Sequence, residues 1–269
     1  MISVRDLWAG YGREPVLRSV DLQVDHGGFL GILGPNACGK STLLRVLTGV
    51  LRPQRGEVRV GGLDPREAAP RNLARVAATV PQSTWIPFPF TGFEVVMMGR
   101  HPQLGRFGRP GPPDREAVRR AMADTDTLGL ADRLITQVSG GERQRLVLAR
   151  ALAQEAPLLL LDEATAAMDV HRRIDAFDLL ARVNAQGTTV CAVMHDLNLA
   201  ALYCRRLVFL KEGRVWAEGP TERVFCKEIL EAVYETPAEV SVHPATGRPH
   251  AVFLPRARRG GNQRPETRN

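Results

Sequence analysis

A short apolar run, Phe29-Leu30-Gly31-Ile32-Leu33, breaks straight into Gly34-Pro35-Asn36-Ala37-Cys38-Gly39-Lys40-Ser41-Thr42 and then into "LLRVLTGVL". The spacing of Gly34, Gly39, Lys40 and Ser41 fits G-x-x-x-x-G-K-[ST], and both flanks supply the strand–loop–helix context which that pattern needs. Gly34 and Gly39 let the backbone curl, so that successive amides point at one anion. The helix that begins near Lys40 adds unpaired amides and the positive end of its dipole. Such a loop suits the phosphates of a nucleotide, with Lys40 reaching the β- and γ-phosphates and the Ser41 hydroxyl ligating Mg²⁺.

The rest of the chain reads as the α/β setting of that loop. "PLLLLDEAT" is an apolar strand that ends in two adjacent acids, Asp162 and Glu163. At the carboxyl edge of a sheet Asp162 would be the second anchor for Mg²⁺, and Glu163 could polarise a water. "LLLL" and "VCAVM" are apolar throughout, as strands covered on both faces are. Alternating patterns over "MISVRDLWA" and "PVLRSVDLQV" predict strands that turn at glycines. "RLVFLKEGRVWAEG" predicts a hairpin turning at Lys211-Glu212-Gly213, and "EVSVHPATGRPHAVFL" predicts another turning at "ATGR". Helices are expected over 140–154, 170–184 and 197–203, over "REAVRRAMADTDTLGL", and in a short piece before a strand that ends at Gln82. Residues 85–135 read as a mostly helical insertion.

Length and charge narrow the class. The 269 residues allow one large domain with small appendages, and 44% hydrophobic with 24% charged residues suit a globular chain with a sizeable core. No apolar run reaches the roughly 18–20 residues that span a bilayer, and nothing at the amino end looks like a secretion signal. The four cysteines lack metal-ligand spacing, which points to a reducing interior. A net charge of +7 raises the question of nucleic acid. Much of it lies in "RARRGGNQRPETRN", residues 256–269, which reads as a disordered, solubilising basic tail. No specific nucleic-acid partner is expected.

A second glycine pair, in "VSGGERQR" at 138–145, opens another helix suited to phosphate. With it the order of motifs resembles the ATP-binding subunits of ABC transporters, over residues 1 to 235. Tyr11 sits where that family stacks an aromatic on adenine, "GPNACGKST" is similar to its phosphate loop, and Gln82 is similar to its γ-phosphate-sensing glutamine. "VSGGERQR" is similar to its signature, "LLLLDEAT" with Asp169 to its metal strand and dimer-contact loop, and His195 to its switch histidine. The resemblance implies a P-loop NTPase of ABC type with an antiparallel β subdomain and a helical subdomain. It implies hydrolysis of ATP with Mg²⁺ on Ser41, Gln82 and Asp162. The catalytic set would be Glu163, His195, Gln82 and Lys40, and residues 34–42 with Tyr11 would hold the nucleotide. Ser139, Gly140, Gly141 and Asp169 would serve the site of a second copy, since two chains clasp two ATPs.

The resemblance also sets the boundaries: an ATPase domain over 1–240 with its helical subdomain near 85–155, a hairpin extension over 241–255, and the tail. Partners would be integral membrane permease subunits and, indirectly, a periplasmic or surface solute-binding protein. The place would be the cytoplasmic face of the inner membrane. A soluble ABC ATPase of DNA repair or translation is the alternative, but the chain has neither the long coiled-coil insertion nor the paired domains of those members. "IPFPFTGFEVVMMGRHPQLGRF" and the carboxyl-terminal segments resemble importers of iron–siderophore, haem and cobalamin, with siderophore and cobalamin ahead of haem. Phe88, Phe90, Phe93, Val96, Met97 and Met98 are candidate groove residues for the permease, with Arg100 and His101 beside them. There are departures from the family pattern. Ala37 stands for glycine, which is tolerated if its φ is negative. Glu142 stands for glutamine, Val138 for leucine and Ala164 for proline, while Ala166 and Met168 replace serine and leucine.

Overall fold

The computed structural model describes residues 1–82, 86–105 and 108–255. The expected basic tail, 256–269, lies outside them. Strands β1 (Ile2–Ala9), β2 (Leu17–Val24) and β4 (Arg55–Val60) form an antiparallel sheet in the order β2-β1-β4. Their inward residues, among them Ile2, Val4, Leu7, Val20 and Val58, are buried in one cluster with Leu43 and Leu47.

The main sheet has the order β5-β6-β7-β3-β8-β9. Its strands are β3 (Phe29–Leu33), β5 (Ala77–Val80), β6 (Leu158–Asp162), β7 (Thr189–Val193), β8 (Arg206–Lys211) and β9 (Arg214–Pro220). The first five in that order pair in parallel, and β9 closes the edge by an antiparallel hairpin with β8. Glu212 and Gly213, with φ of 50° and 75°, make the two-residue turn whose twist suits a hairpin. Both faces of β3 and β7 are buried, which explains the unbroken apolar runs. Helices α1 (Lys40–Leu47), α2 (Pro70–Val76), α6 (Val170–Ala185) and α7 (Leu197–Tyr203) follow strands or lead into them.

A helical layer stands between β5 and β6. It contains α3 (Gly92–Met97), α4 (Pro112–Asp124) and α5 (Gly140–Ala153) around a core of Val95, Val118, Met122, Ile135 and Leu146. The sequence defines its helix starts. Thr91 with Glu94, and Ser139 with Glu142, each form a reciprocal capping box. Pro112 opens α4, where a missing N–H costs nothing.

Several expectations are corrected. The strand before Gln82 already ends at Val80, and α4 starts at Pro112 and stops at Asp124, because Asp126 turns left-handed at φ 51° and the Thr127 N–H closes on the Met122 carbonyl at 2.8 Å. Two helices were not foreseen: α8 (Thr221–Val224) and α9 (Lys227–Tyr234). They are too short for a clear period, and Leu230 and Val233 are held by tertiary burial. The last hairpin pairs β10 (Ala238–Val242) with β11 (Pro249–Phe253), so it opens before residue 241. Val96 is fully buried in the helical core and cannot belong to a groove, while Phe90, Phe93 and Met97 pack partly against the same core.

Arg100 is neither a solvated turn residue nor free for a partner. Only 8% exposed, it pairs with Asp114 at 3.0 Å and Glu155 at 2.6 Å, and donates to the Ala153 carbonyl. It thereby ties the end of α3 to the start of α4 and the end of α5. Arg100→Met leaves the half-buried Asp114 carboxylate without its cation, and is expected to cost about 2 kcal/mol. Urea unfolding of the purified chain measures it, and a loss below 1 kcal/mol contradicts the assignment.

Candidate nucleotide site

The candidate residues leave the sheet from the carboxyl ends of four neighbouring strands. Gln82 follows β5, Asp162 and Glu163 close β6, His195 follows β7, and residues 34–42 follow β3. Register makes this possible. Asp162 lies beside Val193, and Ile32 lies beside Val193 on its other side, so three strands end at one level.

The loop between β3 and α1 is shaped by its glycines. Gly34 has φ 147°, and a Cβ there would lie 2.1 Å from the Leu210 carbonyl oxygen. Gly39 has φ 108°, and its Cβ would meet Leu17 at 2.5 Å. Ala37, by contrast, adopts φ 62° although it carries a Cβ, so the condition of a negative φ is not met. The loop needs a left-handed residue there to turn its amides inward, and a methyl facing solvent fits at the cost of backbone strain. Lys40, 5% exposed, folds its Nζ back on the carbonyls of Gly34 at 2.7 Å and Pro35 at 2.9 Å. Its charge is thus held at the mouth of the amide-lined loop.

Ser41 donates to Asp162 Oδ1 at 3.1 Å. Burial pushes the Asp162 carboxyl above its ordinary range, with the Ser41 bond opposing the shift and the neighbouring Glu163 adding to it. A divalent cation between these two oxygens would supply the positive charge that this carboxylate lacks, so the donor pair suits Mg²⁺. Glu163 sits in the left-handed region at φ 49°, held by its N–H on the Val193 carbonyl at 3.1 Å. That turn aims its carboxylate between two others of the set. Oε2 accepts from Gln82 Nε2 at 2.5 Å, and Oε1 meets His195 Nε2 at 2.5 Å. The Glu163 side chain is 11% exposed and that of His195 46%.

Tyr11 is 59% exposed beside the same loop, with its hydroxyl 3.4 Å from Thr42 Oγ1. Arg45 is a member that sequence reading overlooked. It donates to the Tyr11 hydroxyl at 2.9 Å, and its guanidinium stands 5.4 Å from the ring centroid. Its place one helical turn beyond Ser41 was the available signal.

The second glycine pair stands apart. Ser139 is the cap of α5: its hydroxyl accepts from the Glu142 N–H at 3.3 Å, and Glu142 accepts from the Ser139 N–H at 2.8 Å. That bond holds the Glu142 carboxyl below its usual range. Glutamate in place of glutamine therefore keeps the capping box. Gly140 has open space around it, and Gly141 faces the Ala167 carbonyl. Asp169 caps α6 through the Arg172 N–H at 2.8 Å. Among the described residues no hydrogen bond or ion pair joins 139–141 or Asp169 to 34–42. Val138, Ala164 and Met168 are buried, and Ala166 is exposed.

The family profile described as ABC transporter matches residues 17–166. The chain is 45% identical over 88% of its length to the hemin import ATP-binding protein of Streptomyces coelicolor, covering 84% of that protein. It is 38% identical over 93% of its length to the ferric enterobactin transport ATP-binding protein of Escherichia coli, again covering 93%. A solved ABC transporter described as of metal-chelate type, in an inward-facing conformation, superposes with a TM-score of 0.81 at 29% identity, over 94% of this chain and 96% of that one. The chain belongs to the ABC transporter family. Within it, the protein is an ATP-binding subunit, an ATPase coupled to transport. No helix among the described residues is long and apolar enough to cross a membrane.

The strain at Ala37 can be measured. Ala37→Gly removes a left-handed alanine, worth about 1 kcal/mol, and returns about half of that to the unfolded chain as entropy, so a net gain of about 0.5 kcal/mol is expected. Chemical denaturation reads it, and a net loss would place the loop in another conformation.

Proposed function

We propose that this chain is the ATP-hydrolysing motor of a membrane importer that moves a bulky metal chelate inward. The observation that carries the reading is Glu163, held by Gln82 and His195 beside the Ser41–Asp162 pair and the lysine-plugged loop. Metal-chelate cargo is supported by the two relatives and the solved transporter, all of that kind by description.

Adenine stacks on the exposed ring of Tyr11. The amides of residues 34–42 receive the phosphates, and Lys40 exchanges the Gly34 and Pro35 carbonyls for the β- and γ-phosphates. Ser41, Asp162 and Gln82 would hold Mg²⁺, which would supply positive charge against the transferring phosphoryl group. Glu163 orients the attacking water by its carboxylate, and His195 holds Glu163 and the γ-phosphate in one geometry. Ser139, Gly140, Gly141 and Asp169 act on the site of a second copy. The exposed helix start at Ser139 presents its hydroxyl and the positive end of α5 outward, where a facing chain brings its own phosphate loop. Two copies dock on a permease pair at the cytoplasmic face of the membrane. Phe88, 63% exposed, and Met98, 39% exposed, are apolar side chains of the helical layer open to that contact. A solute-binding protein delivers cargo to the permease on the other side.

Glu163→Gln keeps the shape and loses the anionic acceptor. ATP turnover with the permease present is expected to fall about 10²-fold or more, with ATP binding retained; near-normal turnover removes Glu163 from the chemistry. Ser139→Arg should stop turnover with monomer ATP affinity intact. Mixed with Lys40→Ala chains, it should recover part of the ATP-dependent dimerisation, because one site of the mixed pair carries both defects and the other neither. Loss of monomer binding in Ser139→Arg refutes a site shared between chains. Cargo is read by ATP-dependent uptake into vesicles bearing the full complex, with ferric siderophore, cobalamin, haem, zinc, phosphate and an amino acid tested side by side. Stimulation by a small ion or an amino acid alone overturns the chelate.

A further inference from the structure

The ring that takes the base in the reading above is not held by burial. Tyr11 lies in the connection between β1 and β2 and is 59% exposed. The backbone of that connection is fixed. Gln54 Nε2 donates to the Gly12 carbonyl at 2.7 Å, and the Val16 N–H donates to the Ala9 carbonyl at 2.8 Å. What remains to be set is the direction of the Tyr11 side chain.

That direction comes from α1. Arg45 donates to the Tyr11 hydroxyl at 2.9 Å, with its guanidinium 5.4 Å from the ring centroid. Thr42 Oγ1 lies 3.4 Å from the same hydroxyl. Thr42 and Arg45 are three residues apart, so they share one face of the helix. The helix is held by Leu43, Leu44, Val46 and Leu47, all buried in the core beside Leu17 of β2. Its first turn is also the end of the phosphate loop, where the Leu43 N–H donates to the Gly39 carbonyl at 2.9 Å. One rigid element thus carries the phosphate loop at its start and the support of the aromatic ring one turn later.

Among the described residues, no side chain other than Tyr11 accepts a hydrogen bond from the Arg45 guanidinium, and no ion pair holds it. Its charge reaches Asp162 only through space, where it opposes the burial that raises that carboxyl. Stacking itself is tolerant, because every base has a π-face. What can be lost is the placing of the aromatic face. A ring free to turn must be ordered when the nucleotide arrives, and that ordering weakens the contact. A ring already gripped at its hydroxyl by a cationic donor is ordered beforehand.

We propose that Arg45 is a positioning residue for nucleotide binding: by holding the Tyr11 ring, it fixes the base platform relative to the phosphate loop. The proposal rests on the reading of Tyr11 as the face that takes adenine.

The test uses the full chain with its permease, and measures the KM for ATP and the Kd for a non-hydrolysed ATP analogue. Arg45→Met keeps the unbranched stem and the helix propensity, and removes the donors and the charge. Loss of one exposed hydrogen bond should raise both constants about 3- to 5-fold. The kcat at saturating ATP should stay within about twofold, since no reacting atom is touched. Arg45→Lys, which keeps a cation but not the planar fork, should fall between Arg45→Met and the unaltered chain. Tyr11→Ala removes the stacking face and should raise Kd about 10-fold or more. Because Arg45 acts through that ring, adding Arg45→Met to Tyr11→Ala should change Kd by less than about 1.5-fold. Tripolyphosphate with Mg²⁺ has the phosphates and no base, so its Kd should stay within about twofold in Arg45→Met. Unchanged KM and Kd in Arg45→Met, with binding weakened in Tyr11→Ala, overturns the proposal and leaves the base platform standing. An equal loss from Arg45→Met with and without the Tyr11 ring, or an equal loss for tripolyphosphate, also overturns it, because Arg45 then serves the phosphates or Asp162 directly. A fall in kcat that tracks a lost folded fraction on thermal melting, with KM unmoved, marks a merely structural arginine and overturns it as well. Unchanged binding in Tyr11→Ala removes the adenine reading itself, and the proposal with it.

Discussion

Everything at the site depends on the parallel register of β6, β7 and β3. Val193 is flanked by Asp162 on one side and Ile32 on the other, so the strands run out together. Beyond that line the chain must satisfy its backbone without a further strand, and it does so through the Glu163 N–H on the Val193 carbonyl. The bond holds Glu163 in a left-handed turn that a side chain ordinarily avoids, and local strain of this kind is what a site can store when its surroundings over-determine it. A one-residue slip of β6 would turn Asp162 and Glu163 to the opposite faces and dissolve the site.

Two carboxylates side by side then meet different surroundings. Asp162 is buried against a single hydroxyl, which raises its carboxyl and leaves it short of positive charge. Glu163 is bracketed by an amide and an imidazole. The difference sorts them into a group suited to a cation and a group suited to a polarised water. Lys40 and Arg45 are the cations near Asp162, and at present Lys40 is spent on loop carbonyls; ligand phosphate is the natural competitor for it.

The helical layer is tied on by polar contacts as well as by packing. Arg100 anchors its far end. Asp126 joins Arg172 of α6 at 2.8 Å and approaches Arg145 of α5 at 3.6 Å, so the helix behind the second glycine pair and the helix behind Asp169 share one carboxylate. Asp126 is largely exposed, and surface pairs of this kind contribute about 1 kcal/mol or less each.

The sequence by itself determined the elements whose physics is local. The phosphate loop declared itself because only glycine fits at Gly34 and Gly39, and the central strands declared themselves through apolar runs that only two covered faces allow. The capping boxes of Ser139 with Glu142 and Thr91 with Glu94 are equally local, but the structure brought them out. The ordered motifs also named the family before any geometry was known. Tertiary structure decided what depends on residues far apart in the chain. It placed Gln82, Glu163 and His195 within hydrogen-bond reach, since register is a property of strand pairs. It put Arg100 and Val96 inside, since burial is set by the neighbours and not by the residue. It folded α8 and α9, since helices that short gain their stability from packing. The sign of φ at Ala37 belongs to the same class, because the amides of the whole loop, and not alanine's own preference, select it.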